Sequence, residues 1–178
     1  MGTIFVDNLE PQSGTSLTLG SSGDTVALTS GAKTSGFGKI GQVVSTLLTT
    51  QQFTNSTSLV ATEAVATITP TSTTSKILIY WDVAFRKNNT NSGTYVNFSL
   101  YKNSSLLKPI DTNFSNTMAA KVMLRANYHL LDSPSTTSST QYAVYWARVG
   151  NSESGGFYLN DGGSSAASGS FTLMEVLD

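Results

Sequence analysis

The sequence predicts an all-β chain in two parts. Residues 1–41 form a short segment of small strands suited to pairing with other chains, and residues 42–178 form an antiparallel jelly-roll β-sandwich. Three observations predict this. Apolar residues alternate with period two through most of the chain, and helical periodicity is almost absent. Turn signals punctuate that alternation into about eight strands beyond residue 41, the spacing of a sandwich or jelly roll. Before residue 41 a nine-residue unit occurs twice in succession.

Residues 1–9 read as a strand closed by Glu10-Pro11-Gln12-Ser13-Gly14. The repeat follows as Gly14-Thr15-Ser16-Leu17-Thr18-Leu19-Gly20-Ser21-Ser22, then Gly23-Asp24-Thr25-Val26-Ala27-Leu28-Thr29-Ser30-Gly31. Leu17 matches Val26 and Leu19 matches Leu28. Each unit offers two or three apolar side chains and cannot bury them alone. Copies on other chains are the simplest neighbours. Leu17, Leu19, Val26 and Leu28 are therefore expected in a core shared between chains. Ser35-Gly36-Phe37-Gly38-Lys39-Ile40-Gly41 is a glycine-spaced joint and sets the domain boundary.

In the body, strands are expected at 43–50, 58–68, 76–85, 94–102, 122–131, 141–149, 156–159 and 170–177. Turn residues separate them: Thr69-Pro70-Thr71-Ser72, Asn88-Asn89-Thr90-Asn91-Ser92-Gly93, Asp132-Ser133-Pro134 and Asn160-Asp161-Gly162-Gly163. Residues 87–93, 107–118, 133–140 and 150–155 are expected as polar loops able to carry variable contacts. Over 76–85 one face is Ile77, Ile79, Trp81, Val83 and Phe85, and the other is Leu78, Tyr80 and Ala84 with Asp82. Over 141–149 both faces are again mainly apolar. A sheet with one wet face shows one polar side. Ile77, Ile79, Tyr80, Trp81, Tyr145 and Trp146 are therefore expected in the core or at a subunit interface.

Composition narrows the function. Only 12% of residues are charged and the net charge is −1, while Ser and Thr exceed a quarter of the chain. Scattered charge of this kind offers no footprint for nucleic acid. There is no cysteine, so no disulfide or thiolate metal site is expected. The N-terminus lacks the basic and apolar regions of a secretory signal, and no apolar run reaches the length of a membrane span. No membrane insertion is expected.

Catalytic patterns are sparse. His129 is the one histidine, on a strand face with Arg125 and Asn127, and no Gly-x-Ser-x-Gly elbow accompanies it. Acidic residues such as Asp24, Asp111, Asp132, Glu153 and Asp161 fall at turns rather than across a cleft. No phosphate-binding glycine loop leads into a helix. The aromatic set Tyr80, Trp81, Tyr95, Tyr101, Tyr142, Tyr145, Trp146 and Tyr158 supplies packing, with sugar stacking as a second use for any ring left exposed.

Phe5-Val6-Asp7-Asn8-Leu9-Glu10-Pro11-Gln12-Ser13-Gly14-Thr15-Ser16-Leu17-Thr18-Leu19-Gly20 resembles the N-terminal segment of structural proteins of tailed phages that infect marine and freshwater bacteria. Ser75-Lys76-Ile77-Leu78-Ile79, Leu131-Asp132-Ser133-Pro134, Tyr142-Ala143-Val144-Tyr145 and Phe171-Thr172-Leu173-Met174-Glu175-Val176 resemble the C1q/TNF-like jelly-roll knobs of phage fibres. The resemblance implies a homotrimer on the virion surface with no enzymatic activity and no cofactor. It implies a trimeric N-terminal shaft that docks on other virion proteins through Ile4, Phe5, Val6 and Leu9, and a knob that meets a host-surface glycan or protein. Because little shaft separates dock from knob, a capsid decoration or head-fibre protein is the alternative. Without a signal peptide, assembly in the host cytoplasm is expected.

Overall fold

The structure is a computed structural model that describes residues 40–88, 94–110, 123–150, 155–161 and 168–177. The expected first strand, the repeat with Leu17, Leu19, Val26 and Leu28, and the docking residues Ile4, Phe5, Val6 and Leu9 lie outside the described residues. Among the described residues ten strands are present: β1 (Ile40–Leu48), β2 (Gln52–Thr54), β3 (Val60–Ile68), β4 (Lys76–Lys87), β5 (Thr94–Lys102), β6 (Ser105–Ile110), β7 (Met123–Asp132), β8 (Thr140–Gly150), β9 (Phe157–Leu159) and β10 (Gly169–Val176). Among the described residues there is no helix.

The strands build two antiparallel sheets. In one, β1 pairs β10, β10 pairs β4, and β7 pairs the other edge of β4. Beyond β10 the same edge of β4 takes the short β9, which in turn pairs β2. The second sheet has the order β3-β8-β5-β6. The long strands alternate between sheets along much of the chain, giving a jelly-roll-like sandwich of four strands facing four.

Alternation explains the core. Ile77, Ile79, Trp81, Val83 and Phe85 of β4 point inward at 0–1% exposure, meeting Val96, Phe98, Val144 and Trp146 from the opposite sheet. Phe98 organises the centre: its ring lies 4.7 Å from Trp81, edge to face, and 6.3 Å from Trp146, stacked. Burial of side chains this large contributes about 2–3 kcal/mol each. At Gly169, where β10 crosses β4, a Cβ would stand 2.4 Å from the Asp82 carbonyl oxygen, so only glycine permits the approach.

Eight strands fall within a few residues of their expected bounds, and two lie where no strand is expected. β6 occupies 105–110 and takes in the first residues of the loop expected at 107–118. The turn before it holds Asn103 at φ 48° and Ser104 at φ 65°. Two consecutive left-handed residues make a tight hairpin, and Asn-Ser is a weaker signal for it than Asn-Gly. Pro109 also argues against a strand, and is tolerated because β6 is an edge. β2 has only three residues, too few to show a period. The other expected loops are shorter than 87–93, 133–140 and 150–155: Lys87 is buried at the end of β4, while Thr140 and Gly150 are the ends of β8. Residues 89–93, 111–122 and 151–154 lie outside the described residues. β1 begins at Ile40, so its first two residues fall on the N-terminal side of the boundary set between 41 and 42.

Candidate functional site

A sandwich in which both sheets carry apolar side chains on both faces has two outer surfaces to account for. On the β4 sheet, register places Val43, Met174, Leu78 and Leu131 in one row running across β1, β10, β4 and β7. The next row is Ser45, Thr172, Tyr80 and His129, and the next is Leu47, Ser170, Asp82 and Asn127. Exposure reaches 56% at Val43, 66% at Leu47, 39% at Tyr80 and 50% at Leu131. Leu78 and Met174 are half-buried between them. The surface is thus an apolar band with a hydroxyl-rich margin. Its polar end is fixed by Arg125, whose Nε donates to Asp82 Oδ1 at 3.1 Å and whose Nη2 donates to the Ser168 carbonyl oxygen at 3.2 Å. Tyr80 donates its hydroxyl to Asn127 Oδ1 at 3.3 Å.

The six body residues expected in the core or at an interface divide between three places. Ile77, Ile79, Trp81 and Trp146 are in the core at 0–1% exposure. Tyr80 stands on the outer face of the β4 sheet, and Tyr145 on the outer face of the β8 sheet, where its ring lies 4.4 Å from Tyr101. The rest of the aromatic set sorts the same way. Tyr142 is fully buried, and Tyr158 is capped by the Arg86 guanidinium at 4.4 Å. His129 faces outward with Arg125 and Asn127, opposite Tyr80.

Sequence reasoning missed Val43, Leu131 and Met174. Each lay in an expected strand, and consecutive apolar pairs such as Val43-Val44 and Leu130-Leu131 hinted at two buried faces. What joins them into a row is the neighbourhood β1-β10-β4-β7, which links strands more than a hundred residues apart. Among the described residues no three His, Asp or Glu side chains gather where they could hold a metal ion, and no helix is long and apolar enough to cross a membrane.

No family model and no curated protein matches the chain. Among solved structures it is similar to that of infectious bursal disease virus Gx strain, at 10% identity and a TM-score of 0.46, covering 77% of this chain and 37% of that one. It is also similar to the VP2 protein of infectious bursal disease virus in T=1 particles, at 8% identity and a TM-score of 0.46, covering 77% of this chain and 36% of that one. The chain therefore spans little more than a third of the matched chains' length. At this identity and overlap the likeness assigns neither family nor activity.

Proposed function

We propose that the chain is a virion structural protein: a homotrimeric appendage whose sandwich is a knob, whose N-terminal segment docks on other virion proteins, and which acts by binding a host surface. The observation that carries the assembly is the row Val43, Met174, Leu78 and Leu131, with Tyr80 in the next row. Large exposed side chains in a continuous band cost free energy in water and mark a surface that another molecule covers. A second copy is the partner we assign. The band is apolar at its centre and bordered by Ser45, Thr172 and His129 on one side and by Lys76 on the other, an apolar centre with a polar rim as in a subunit contact. A rotationally closed ring of copies satisfies such a band without leaving an open end.

The virion part of the reading is supported by the resemblance of residues 5–20 to phage structural proteins. Gold-labelled antibody against the sandwich, applied to virions, should decorate an appendage tip, and soluble protein should compete with virions for host cells. Label spread over the head shell, with adsorption intact in its absence, would replace the host-binding reading with capsid decoration. Virions that carry no label at all would overturn both.

A further inference from the structure

The outer face of the β8 sheet differs in kind from the band just assigned to copies. Tyr101 of β5 and Tyr145 of β8 are diagonal neighbours, because Tyr101 pairs Ala143 and Ser99 pairs Tyr145. Their ring centroids are 4.4 Å apart with planes inclined by 39°. Ala143 and Ser99, the small residues between and beside them, are buried at 8% and 7% exposure. Two half-buried rings, packed against each other, thus rise beside a floor of small side chains and form one aromatic ledge. Val65 of β3 and Leu106 of β6, both exposed, stand on either side. No paired outward position of the four strands is charged. Glu63, in the bulge of β3, accepts from the Thr50 amide at 3.0 Å and from the Asn160 side chain, and Lys108, exposed on the edge strand β6, pairs inward-facing Leu100. Among the described residues no hydrogen bond engages the hydroxyl of Tyr101 or Tyr145.

These features narrow the ligand. With no cation at the paired outward positions around the two rings, the face has no Coulombic hold on phosphate, sulfate or carboxylate groups, so anionic polymers gain little there. A second copy is better served by the opposite face, where Val43, Leu47 and Leu131 stand 50–66% exposed. A pyranose has an apolar C–H face that stacks on an aromatic ring, and a rim of hydroxyls that requires uncharged donors and acceptors. Tyrosine supplies both in one side chain, at little conformational cost.

We propose that the Tyr101–Tyr145 ledge binds an uncharged hexose oligosaccharide. The proposal names the ligand class for the host-binding reading above, and rests on it for the orientation that leaves this face outward.

The full chain should be titrated calorimetrically with maltohexaose, cellohexaose and mannohexaose, and with an oligogalacturonate as the anionic counterpart. At least one neutral hexaose should bind weakly and more tightly than the oligogalacturonate. Tyr101→Ala and Tyr145→Ala should each weaken that binding about tenfold, the scale of one lost stacking contact. Tyr101→Phe and Tyr145→Phe, which keep the rings, should stay within about threefold, and Asn127→Ala on the opposite sheet should change nothing. Absence of binding to all three neutral sugars overturns the proposal. So does binding that survives both alanine substitutions, or a preference for the oligogalacturonate. Light scattering on the same samples separates the readings: sugar bound by a monomer leaves the ledge standing and removes the trimer, whereas a trimer that binds no neutral sugar removes the ledge alone.

Discussion

Lys102 and Asp132 join the two sheets at one end of the sandwich. The Lys102 ammonium, on β5, donates to Asp132 Oδ1 at 3.2 Å and Oδ2 at 3.0 Å at the end of β7. Tyr142 of β8 donates its hydroxyl to the same Oδ2 at 2.6 Å. Asp132 thus ties three strands from both layers. Its ion pair with Lys102 is partly exposed and contributes little by itself. The hydroxyl of Tyr142 is different, because that side chain is fully buried and has Asp132 as its acceptor. Burial, with the carboxylate beside it, pushes the Tyr142 phenol well above its ordinary pKa, so it remains a donor throughout the working range.

Asp132→Ala should therefore destabilise the protein by about 1–3 kcal/mol, mostly through the stranded Tyr142 hydroxyl. That corresponds to a fall of several degrees in melting temperature. Lys102→Met should cost less than about 1 kcal/mol. Equal losses for the two, read by thermal denaturation, would show that the ion pair dominates.

Acid should loosen the junction between β1 and β10. Glu175 is fully buried, and its carboxylate accepts from Gln42 Nε2 at 2.7 Å, from the Thr71 amide at 2.6 Å and from the Thr71 hydroxyl at 2.8 Å. Burial alone would raise its pKa; the hydrogen bonds from Gln42 and Thr71 outweigh that and hold it below the ordinary carboxylate value. A depressed folded-state pKa gives stability that is present above the unfolded pKa of about 4.3 and is lost as pH falls through the folded value. The melting temperature should thus drop below about pH 4, and Glu175→Gln should flatten that acid limb while lowering stability near neutrality. An unchanged acid limb in the variant would assign it to other carboxylates.

The apolar band should respond to charge where its polar margin does not. Leu131→Asp and Val43→Asp would each place a carboxylate inside the proposed subunit contact, at a cost of several kcal/mol per copy, and should yield folded monomers. Asn127→Asp, on the margin of the same face, should leave assembly intact. Assembly that tolerates all three would move the contact off this face.

A chain starting at Ile40 keeps all of β1, including the pairing of Ile40 with Val176, and should unfold in one cooperative transition. A chain starting at Thr50 lacks β1 and exposes the long edge of β10, and should bind hydrophobic dye and aggregate. Dye binding by the longer fragment as well would mean that residues 1–39 complete the sandwich core.

Much of the fold was legible because strands announce themselves locally. Alternation over β4 groups Ile77, Ile79, Trp81, Val83 and Phe85 on one face, and the structure buries that face at 0–1% exposure. What the sequence concealed was pairing. Tyr80 and Tyr145 both read as second-face aromatics, yet they lie on opposite surfaces of the sandwich, because β4 and β8 belong to different sheets. The Tyr101–Tyr145 contact and the Val43-to-Leu131 row likewise arise from strand neighbours, which period-two alternation does not encode. β6 was hidden by local chemistry that normally argues against a strand, Pro109 within it and Asn103-Ser104 before it.

The central claim is that the exposed face of the β4 sheet is a contact between copies, and the molar mass in solution tests it most directly. Multi-angle light scattering of the full chain, across a wide range of dilution, should give three times the 18.8 kDa chain mass. A single species at 18.8 kDa over the whole range would contradict it.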